Sequence, residues 1–136
     1  MTEMTITWDF DDLDDLIENG GYQRSPRWPL VEHFLHQLQY RAGSVELDIS
    51  DKPGEGAISI TVIGDEGKFY PVLRYRQADG DVQLRAYDDK KKSTEPVIVR
   101  RNSYYDCNIC EDFVLIHRMF KEFYDTGNVS EELLHW

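Results

Sequence analysis

Two short motifs contain residue types that bind metal ions. Cys107 and Cys110 form a CxxC motif, and His33 and His36 form an HxxH motif. Thiolate and imidazole groups are the usual ligands of tetrahedral zinc, and each spacing suits one half of such a site. The two motifs lie about seventy residues apart, so only the fold can bring them together. The prediction is a pair of ordinary thiols at a helix start with no bound cofactor, and the alternative is a zinc site formed by the four residues.

A run of aspartates near the amino terminus is a second candidate. It contains Asp9, Asp11, Asp12, Asp14 and Asp15. Carboxylates are ligands for divalent cations, but the run lacks the glycine and glutamate of an EF-hand loop. On a helix these acids would form a face exposed to solvent. The functional alternative is that this face is a patch that contacts a partner.

Several arginines occur on or beside predicted strands. They are Arg74, Arg76, Arg85, Arg100 and Arg101. On one sheet face they would form a stripe for an anionic ligand, which makes a small ligand-binding or enzymatic domain the alternative function. In an acidic chain, the other expectation is that they pair with carboxylates.

The net charge of −11 is concentrated at the two ends of the chain. Residues 1–20 contain seven acids and no Lys or Arg, and residues 106–136 contain seven acids and two bases. Such a field repels nucleic acid and attracts a basic protein. We therefore expect a basic protein partner and no nucleic-acid partner, although acidity also serves solubility.

Length and composition predict one domain spanning residues 1–136. The chain is 40% hydrophobic, enough for a globular core, and it has no apolar run that could span a membrane. The amino terminus lacks the basic start and apolar stretch of a signal peptide. Two cysteines do not form a disulfide framework. These features predict a cytoplasmic protein with no membrane partner.

Local patterns predict the elements that would position these residues. Thr5–Trp8 is a possible strand, and Asp9–Glu18 is predicted to be a helix that ends at Gly20. A second helix is predicted from Pro29 to about Arg41, with its proline in the first turn. The two N-terminal helices would then be followed by strands.

The middle of the chain alternates apolar and polar residues with a period of two. Strands are predicted at residues 45–50, 58–62, 69–76, 82–87 and 97–99, separated by glycine-containing turns. Helical spacing returns from Phe113 to Tyr124, and Gly127 stands where a helix C-cap belongs. The predicted fold is α+β: an antiparallel meander of four to five strands with two N-terminal helices and one C-terminal helix packed on it.

The closing segment resembles a known family. A helix ending in residues 123–127 (FYDTG), followed by Trp136, resembles the end of bacterial immunity proteins of polymorphic-toxin and contact-dependent growth inhibition systems. Residues 64–67 (GDEG) followed by residues 69–73 (FYPVL) are similar to the glycine-bounded strand pair of that family. These motifs are structural, so the resemblance implies no catalytic residues.

The resemblance implies an antitoxin without enzymatic activity. Such a protein binds a cognate toxin domain, often a nuclease or deaminase, and covers its active site. The substrate clefts of these toxins are basic, which suits the acidic ends of this chain. The predicted toxin-binding residues lie on the first helix and on the strand at residues 45–50. They are Asp11, Asp12, Asp14, Asp15, Glu46 and Asp48.

Overall fold

A computed structural model of the chain describes residues 3–11, 20–49 and 53–136. Its elements follow in chain order as β1 (Thr5–Phe10), β2 (Gly20–Arg24), α1 (Trp28–Gln37), β3 (Gly43–Asp48), β4 (Gly56–Asp65), β5 (Lys68–Arg76), β6 (Val82–Ala86), β7 (Pro96–Val99), β8 (Asn102–Tyr105), a short 3₁₀ helix (Asp106–Asn108) and α2 (Phe113–Thr126). Neither α-helix in this part of the chain is long and apolar enough to span a membrane.

The main sheet has six antiparallel strands in the order β2-β1-β3-β4-β5-β6. Strands β3 to β6 form a meander. Helix α1 connects β2 to β3, which lie on opposite sides of β1 in the sheet. Both helices pack on one face of the sheet and bury a single apolar core. Its central residues are Ile6, Val45, Leu47, Ile60, Val62, Leu73, Val31, Leu35, Ile116, Phe120 and Phe123.

The closing helix α2 has clear signals at both ends. The Asp112 carboxylate accepts a hydrogen bond from the Val114 amide at 2.9 Å, which caps the first turn. Gly127 ends the helix in the left-handed conformation with φ 79°, and its amide donates to the Phe123 carbonyl. The predicted C-cap at Gly127 is therefore confirmed.

The predicted helix at Asp9–Glu18 is wrong at its start. Asp9 and Phe10 belong to β1, where Ile6 and Phe10 are buried and Trp8 stacks on Phe34 of α1 at 4.0 Å. Ile6, Trp8 and Phe10 alternate as in a strand. The sequence nevertheless predicts a helix, because the apolar residues at positions 10, 13, 16 and 17 fit a helical period. The remainder of that prediction, residues 12–19, lies outside the described residues.

The predicted sheet was too small. Gly20–Arg24, where the sequence predicts the end of a helix and no strand, forms the edge strand β2. The two glycines of β2 suggest a chain break rather than a strand. Gly21 is needed here because it lies against the Trp8 ring, where an added Cβ would come within 2.7 Å of a ring carbon. Residues 102–105, for which the sequence predicts no strand, pair with β7 in a separate two-stranded sheet. The described residues thus form an α+β fold with two α-helices rather than the predicted three, and with eight strands.

Candidate functional site

The sheet face opposite the helices carries aligned rows of side chains. In an antiparallel sheet, paired residues and alternate residues of one strand share a face. Two adjacent rows cross all six strands, and together they are called the open face. The first row is Arg24, Thr5, Asp48, Ser59, Arg74 and Leu84, and the second is Tyr22, Thr7, Glu46, Thr61, Val72 and Ala86.

A third row on this face is covered by the β7–β8 hairpin. It contains Gly20, Asp9, Ser44, Ile63 and Tyr70. Tyr104 of β8 stacks on Tyr70 with ring centroids 4.3 Å apart. A groove of about 360 Å³ separates the tip of the hairpin from the sheet, and Thr61 of the open face forms part of its wall. The hairpin therefore borders the open face.

Two carboxylates stand on the open face at the centre of the sheet. Glu46 and Asp48 belong to β3, and the Thr61 hydroxyl donates to Glu46 at 2.9 Å. Neither carboxylate forms an ion pair with a residue in the described ranges. A rigid central strand thus holds two negative charges that are available to basic groups of another molecule.

The open face also contains an unusual buried hydroxyl. Ser59 is fully buried between Asp48 and Arg74 in its row, and its Oγ has no hydrogen-bond partner within the described structure. Arg74 is exposed two strands away from Asp48. The open face is therefore acidic on β3 and basic on β5 and, at Arg24, on β2.

Asp11 does not join these carboxylates but anchors the hairpin. Arg100 donates to Asp11 at 2.9 and 3.3 Å and to Asp9 at 3.1 Å, while Arg101 donates to Asp11 at 2.8 Å. The Arg100 amide also donates to the Asp65 carboxylate at 3.3 Å. These bonds fix the tip of the hairpin to the ends of β1 and β4.

The two guanidinium groups strongly favour the ionised form of Asp11. Hydrogen bonds from Arg100 and then Arg101 lower the pKa of Asp11 from 3.8 to about 2, and partial burial opposes this shift. The same bonds raise the pKa of Arg100. Because its charge is matched within the chain, Asp11 is less available to a partner than Glu46 or Asp48.

Sequence reasoning missed this anchor. Arg100 and Arg101 are the two central residues of the turn between β7 and β8, and both have positive φ, 47° and 71°. Such a turn usually contains Asn-Gly, so Arg-Arg gave no hairpin signal. The available signal was the two-residue gap between the β-prone runs at residues 97–99 and 102–105.

The predicted arginine stripe does not form as one surface. Arg74 and Arg76 share a face of β5, whereas Arg85 of β6 points to the helix side and is 1% exposed. Its guanidinium donates to the carbonyls of Leu134 and Val129 at 3.0 and 2.7 Å and to the Asn128 side chain at 3.1 Å. Burial lowers the pKa of Arg85. This arginine holds the C-terminal segment and is not accessible to a ligand.

The four weak zinc candidates do not converge. The described residues contain no group of three or more His, Cys, Asp or Glu side chains placed to hold a metal ion. Cys110 is buried, its Sγ lies 3.4 Å from the Asp112 carbonyl, and burial raises the pKa of its thiol. His36 instead contacts Gln39 at 3.1 Å and the Phe113 ring. CxxC and HxxH were therefore misleading as halves of one site.

A separate polar contact joins the two helices. His117 of α2 and Glu32 of α1 share a 2.6 Å hydrogen bond, and the His117 ring stands edge-on to Trp28 at 5.3 Å. The hydrogen bond from His117 lowers the pKa of Glu32. This pair is on the helix side of the molecule, away from the open face, and its geometry serves helix packing.

The predicted contact residues thus divide into three groups. Glu46 and Asp48 lie together on the open face, and Asp11 lies at the anchored hairpin tip. The other three, Asp12, Asp14 and Asp15, are outside the described residues.

Comparisons with known proteins define the family of this chain. The sequence profile of DUF6911, a family of unknown function, matches residues 12–133. The chain belongs to the DUF6911 family. No curated protein sequence matches it. A crystal structure of a hypothetical protein from Neisseria gonorrhoeae is similar, with a TM-score of 0.80 at 15% identity over 96% of this chain and 92% of that one. At this identity the similarity shows a shared fold, so this DUF6911 fold also occurs in a distant sequence.

Proposed function

We propose that this protein is an immunity protein that acts by binding a cognate toxin domain rather than by catalysis. One observation carries the proposal: the open face holds Glu46 and Asp48 side by side on β3, without ion pairs among the described residues. A charged surface on a rigid sheet steers and orients a protein partner of opposite charge. The resemblance of residues 123–127 and 64–73 to immunity proteins supplies the class of partner.

The proposed partner is a cytoplasmic toxin domain with a basic substrate cleft, such as a nuclease or deaminase. Binding would place the β3 carboxylates against the basic residues that otherwise hold the substrate, and would exclude that substrate. Arg74 on β5 would meet an acidic residue at the rim of the same cleft. Desolvated charge pairs of this kind set both the association rate and the choice of partner.

The direct experiment is co-expression with the protein encoded immediately upstream. We expect that protein to be toxic when expressed alone, and we expect this chain to rescue growth and co-purify in a stoichiometric complex. A harmless upstream protein, or a toxic one that is neither bound nor neutralised, would contradict the proposal.

Charge reversal then tests the surface. Glu46→Lys/Asp48→Lys should slow association with the toxin domain by roughly tenfold or more at low salt, because it reverses the field at the centre of the open face. Surface plasmon resonance at two salt concentrations measures the rates. Loss of binding with an unchanged melting temperature would support the assignment.

The matched control is Asp125→Lys/Glu132→Lys, which changes the net charge by the same amount in and after α2. Asp125 is half-exposed and pairs with Lys121 on the helix, so its replacement costs little stability. If both double variants slow association equally, overall charge rather than the open face attracts the partner. If neither does, the contact lies elsewhere on the molecule.

A further inference from the structure

Two arginines flank the carboxylates of the open face. Arg24 on β2, Asp48 on β3 and Arg74 on β5 belong to one row, in which each arginine is two strands away from Asp48. Neighbouring strands are about 4.8 Å apart, so each arginine leaves the sheet about 10 Å from Asp48. The strands between them carry Thr5 and Ser59 in this row, which are short and uncharged. The row therefore presents positive, negative and positive charge in that order.

Both arginines offer their charge to solvent. Arg24 and Arg74 are exposed, and neither pairs with a carboxylate of a described residue. The two rows of the open face contain these two bases and two acids, Glu46 and Asp48, so their net charge is zero. The whole chain has a net charge of −11. The open face is thus a neutral region with a definite charge pattern on an acidic molecule.

An acidic molecule attracts many basic proteins, and the charge pattern of the open face can distinguish among them. Long-range steering depends on the summed charge, so a chain of charge −11 draws in basic surfaces in general. Discrimination comes from contacts that are repulsive for the wrong partner. A uniformly basic surface on the open face would place positive charge against both Arg24 and Arg74. Like charges across an interface oppose binding, so the arginines disfavour such a surface.

We propose that Arg24 and Arg74 select the partner of the open face. The matching surface has a basic centre that meets Glu46 and Asp48, and an acidic residue about 10 Å to each side that meets one of the arginines. This inference rests on the proposed function, because the toxin domain is the partner to which it applies. It narrows that partner from any domain with a basic cleft to one whose basic cleft has acidic residues on two opposite rims.

The toxin complex gives a test in which selection and general attraction predict opposite results. Arg24→Glu/Arg74→Glu changes the net charge from −11 to −15, because each substitution removes a positive charge and adds a negative one. If the summed charge alone attracts the toxin domain, association becomes faster and binding tighter. We expect instead that the dissociation constant rises roughly tenfold or more, because both acidic residues of the partner then face glutamates. Surface plasmon resonance with the toxin domain measures the constants.

The matched control is Lys90→Glu/Lys91→Glu, which also has a net charge of −15. Both lysines are exposed in the loop between β6 and β7, and neither pairs with a carboxylate of a described residue. This variant should bind the toxin domain at least as tightly as wild type does, and all melting temperatures should agree. If Arg24→Glu/Arg74→Glu binds as tightly as the lysine variant or more tightly, the proposal is overturned.

A titration with octalysine, a uniformly basic probe, needs no toxin. At an ionic strength of about 0.01 M the Debye length of about 30 Å exceeds the spacing of these charges, so the effect is not screened. The NMR signals of the Glu46, Asp48 and Thr61 amides should shift weakly in wild type and in the lysine variant. In Arg24→Glu/Arg74→Glu the same amides should report a dissociation constant that is several-fold lower.

The two experiments separate the selection by arginines from the proposed function. Octalysine that reaches the open face of all three proteins equally well would overturn the selection. An upstream protein that is harmless or unbound would contradict the proposed function. In that case the octalysine titration still decides whether Arg24 and Arg74 repel a basic surface.

Discussion

Asp11 shows how one residue can lie in a predicted site and still have a different role. Its sequence context, a run of acids, indicates a solvated surface. Its environment is instead set by Arg100 and Arg101, which are 89 and 90 positions away and give it two charge-assisted pairs. No local pattern encodes such a pairing, so the sequence predicts the charge of this residue but not its partner.

The pKa of Asp11 gives its contribution to stability a definite pH dependence. Because the folded-state pKa, about 2, is below the ordinary value of 3.8, the contribution is present above pH 4 and is lost as pH falls through 2. We expect Asp11→Asn to lower the free energy of unfolding by about 1–2 kcal/mol at pH 7, and by progressively less below pH 4. Urea titrations at several pH values measure the difference.

Asp9→Asn is the comparison, since Asp9 is more exposed and receives only one of the Arg100 bonds. Its effect at pH 7 should be smaller than that of Asp11→Asn. A wild-type advantage over Asp11→Asn that persists undiminished at pH 2 would show that the carboxylate charge is not responsible.

Elements whose hydrophobic pattern stays regular over many residues were the predictable part of the fold. Strands β3 to β6 alternate strictly enough for their bounds to be predicted within a few residues, and α2 has both an apolar stripe and a glycine C-cap. Strand β1 was predicted only over Thr5–Trp8 and β2 was not predicted, because aspartates and glycines favour other structures and only packing against Trp8 and Phe34 overrides them. The β4–β5 and β7–β8 turns show the same contrast between a predictable and an unpredictable sequence.

The β4–β5 turn uses Glu66-Gly67, with glycine at the second positive-φ position, whereas the β7–β8 turn uses arginine at both positions. A non-glycine residue in this conformation costs about 1–2 kcal/mol. We expect Arg101→Gly to change stability by between zero and about 1 kcal/mol in the stabilising direction, because Arg101 is 74% exposed and its ion pair is weak. Thermal denaturation measures the effect.

Arg100→Asn keeps a residue that tolerates positive φ but removes the bonds to Asp9 and Asp11, so it should instead destabilise the fold by about 1–3 kcal/mol. Opposite signs for these neighbouring changes are the critical result. If Arg101→Gly destabilises as much as Arg100→Asn does, both arginines are needed to anchor the hairpin.

The whole molecule depends on a buried arginine that connects the C-terminal segment to the sheet. Arg85 satisfies three acceptors in residues 128–134, and its guanidinium lies 5.5 Å from the Trp136 ring. The planar guanidinium group of arginine donates to acceptors in several fixed directions. The ammonium group of a lysine could not reach all three acceptors in this way. The resemblance to immunity proteins included Trp136 but did not indicate this arginine.

Arg85→Met should therefore lower the free energy of unfolding by about 3–5 kcal/mol, because it leaves buried carbonyls without donors. Arg85→Lys should recover only a minor part of this loss. Arg74→Met, on the adjacent strand and the opposite face, should change stability by less than about 0.5 kcal/mol. Guanidinium titrations give the three values, and faster exchange of the His135 amide would show that the segment has detached.

The anchor between Asp11 and Arg100 also has a kinetic meaning. It joins residues 89 positions apart, so its formation closes a loop of 88 intervening residues. Contacts that close such long loops cost much entropy before they yield any stabilisation, so they form late in folding. We therefore expect the local meander of β3 to β6 to form first and the hairpin to dock onto it afterwards. The anchor consequently governs how fast the native state is lost more than how fast it is reached.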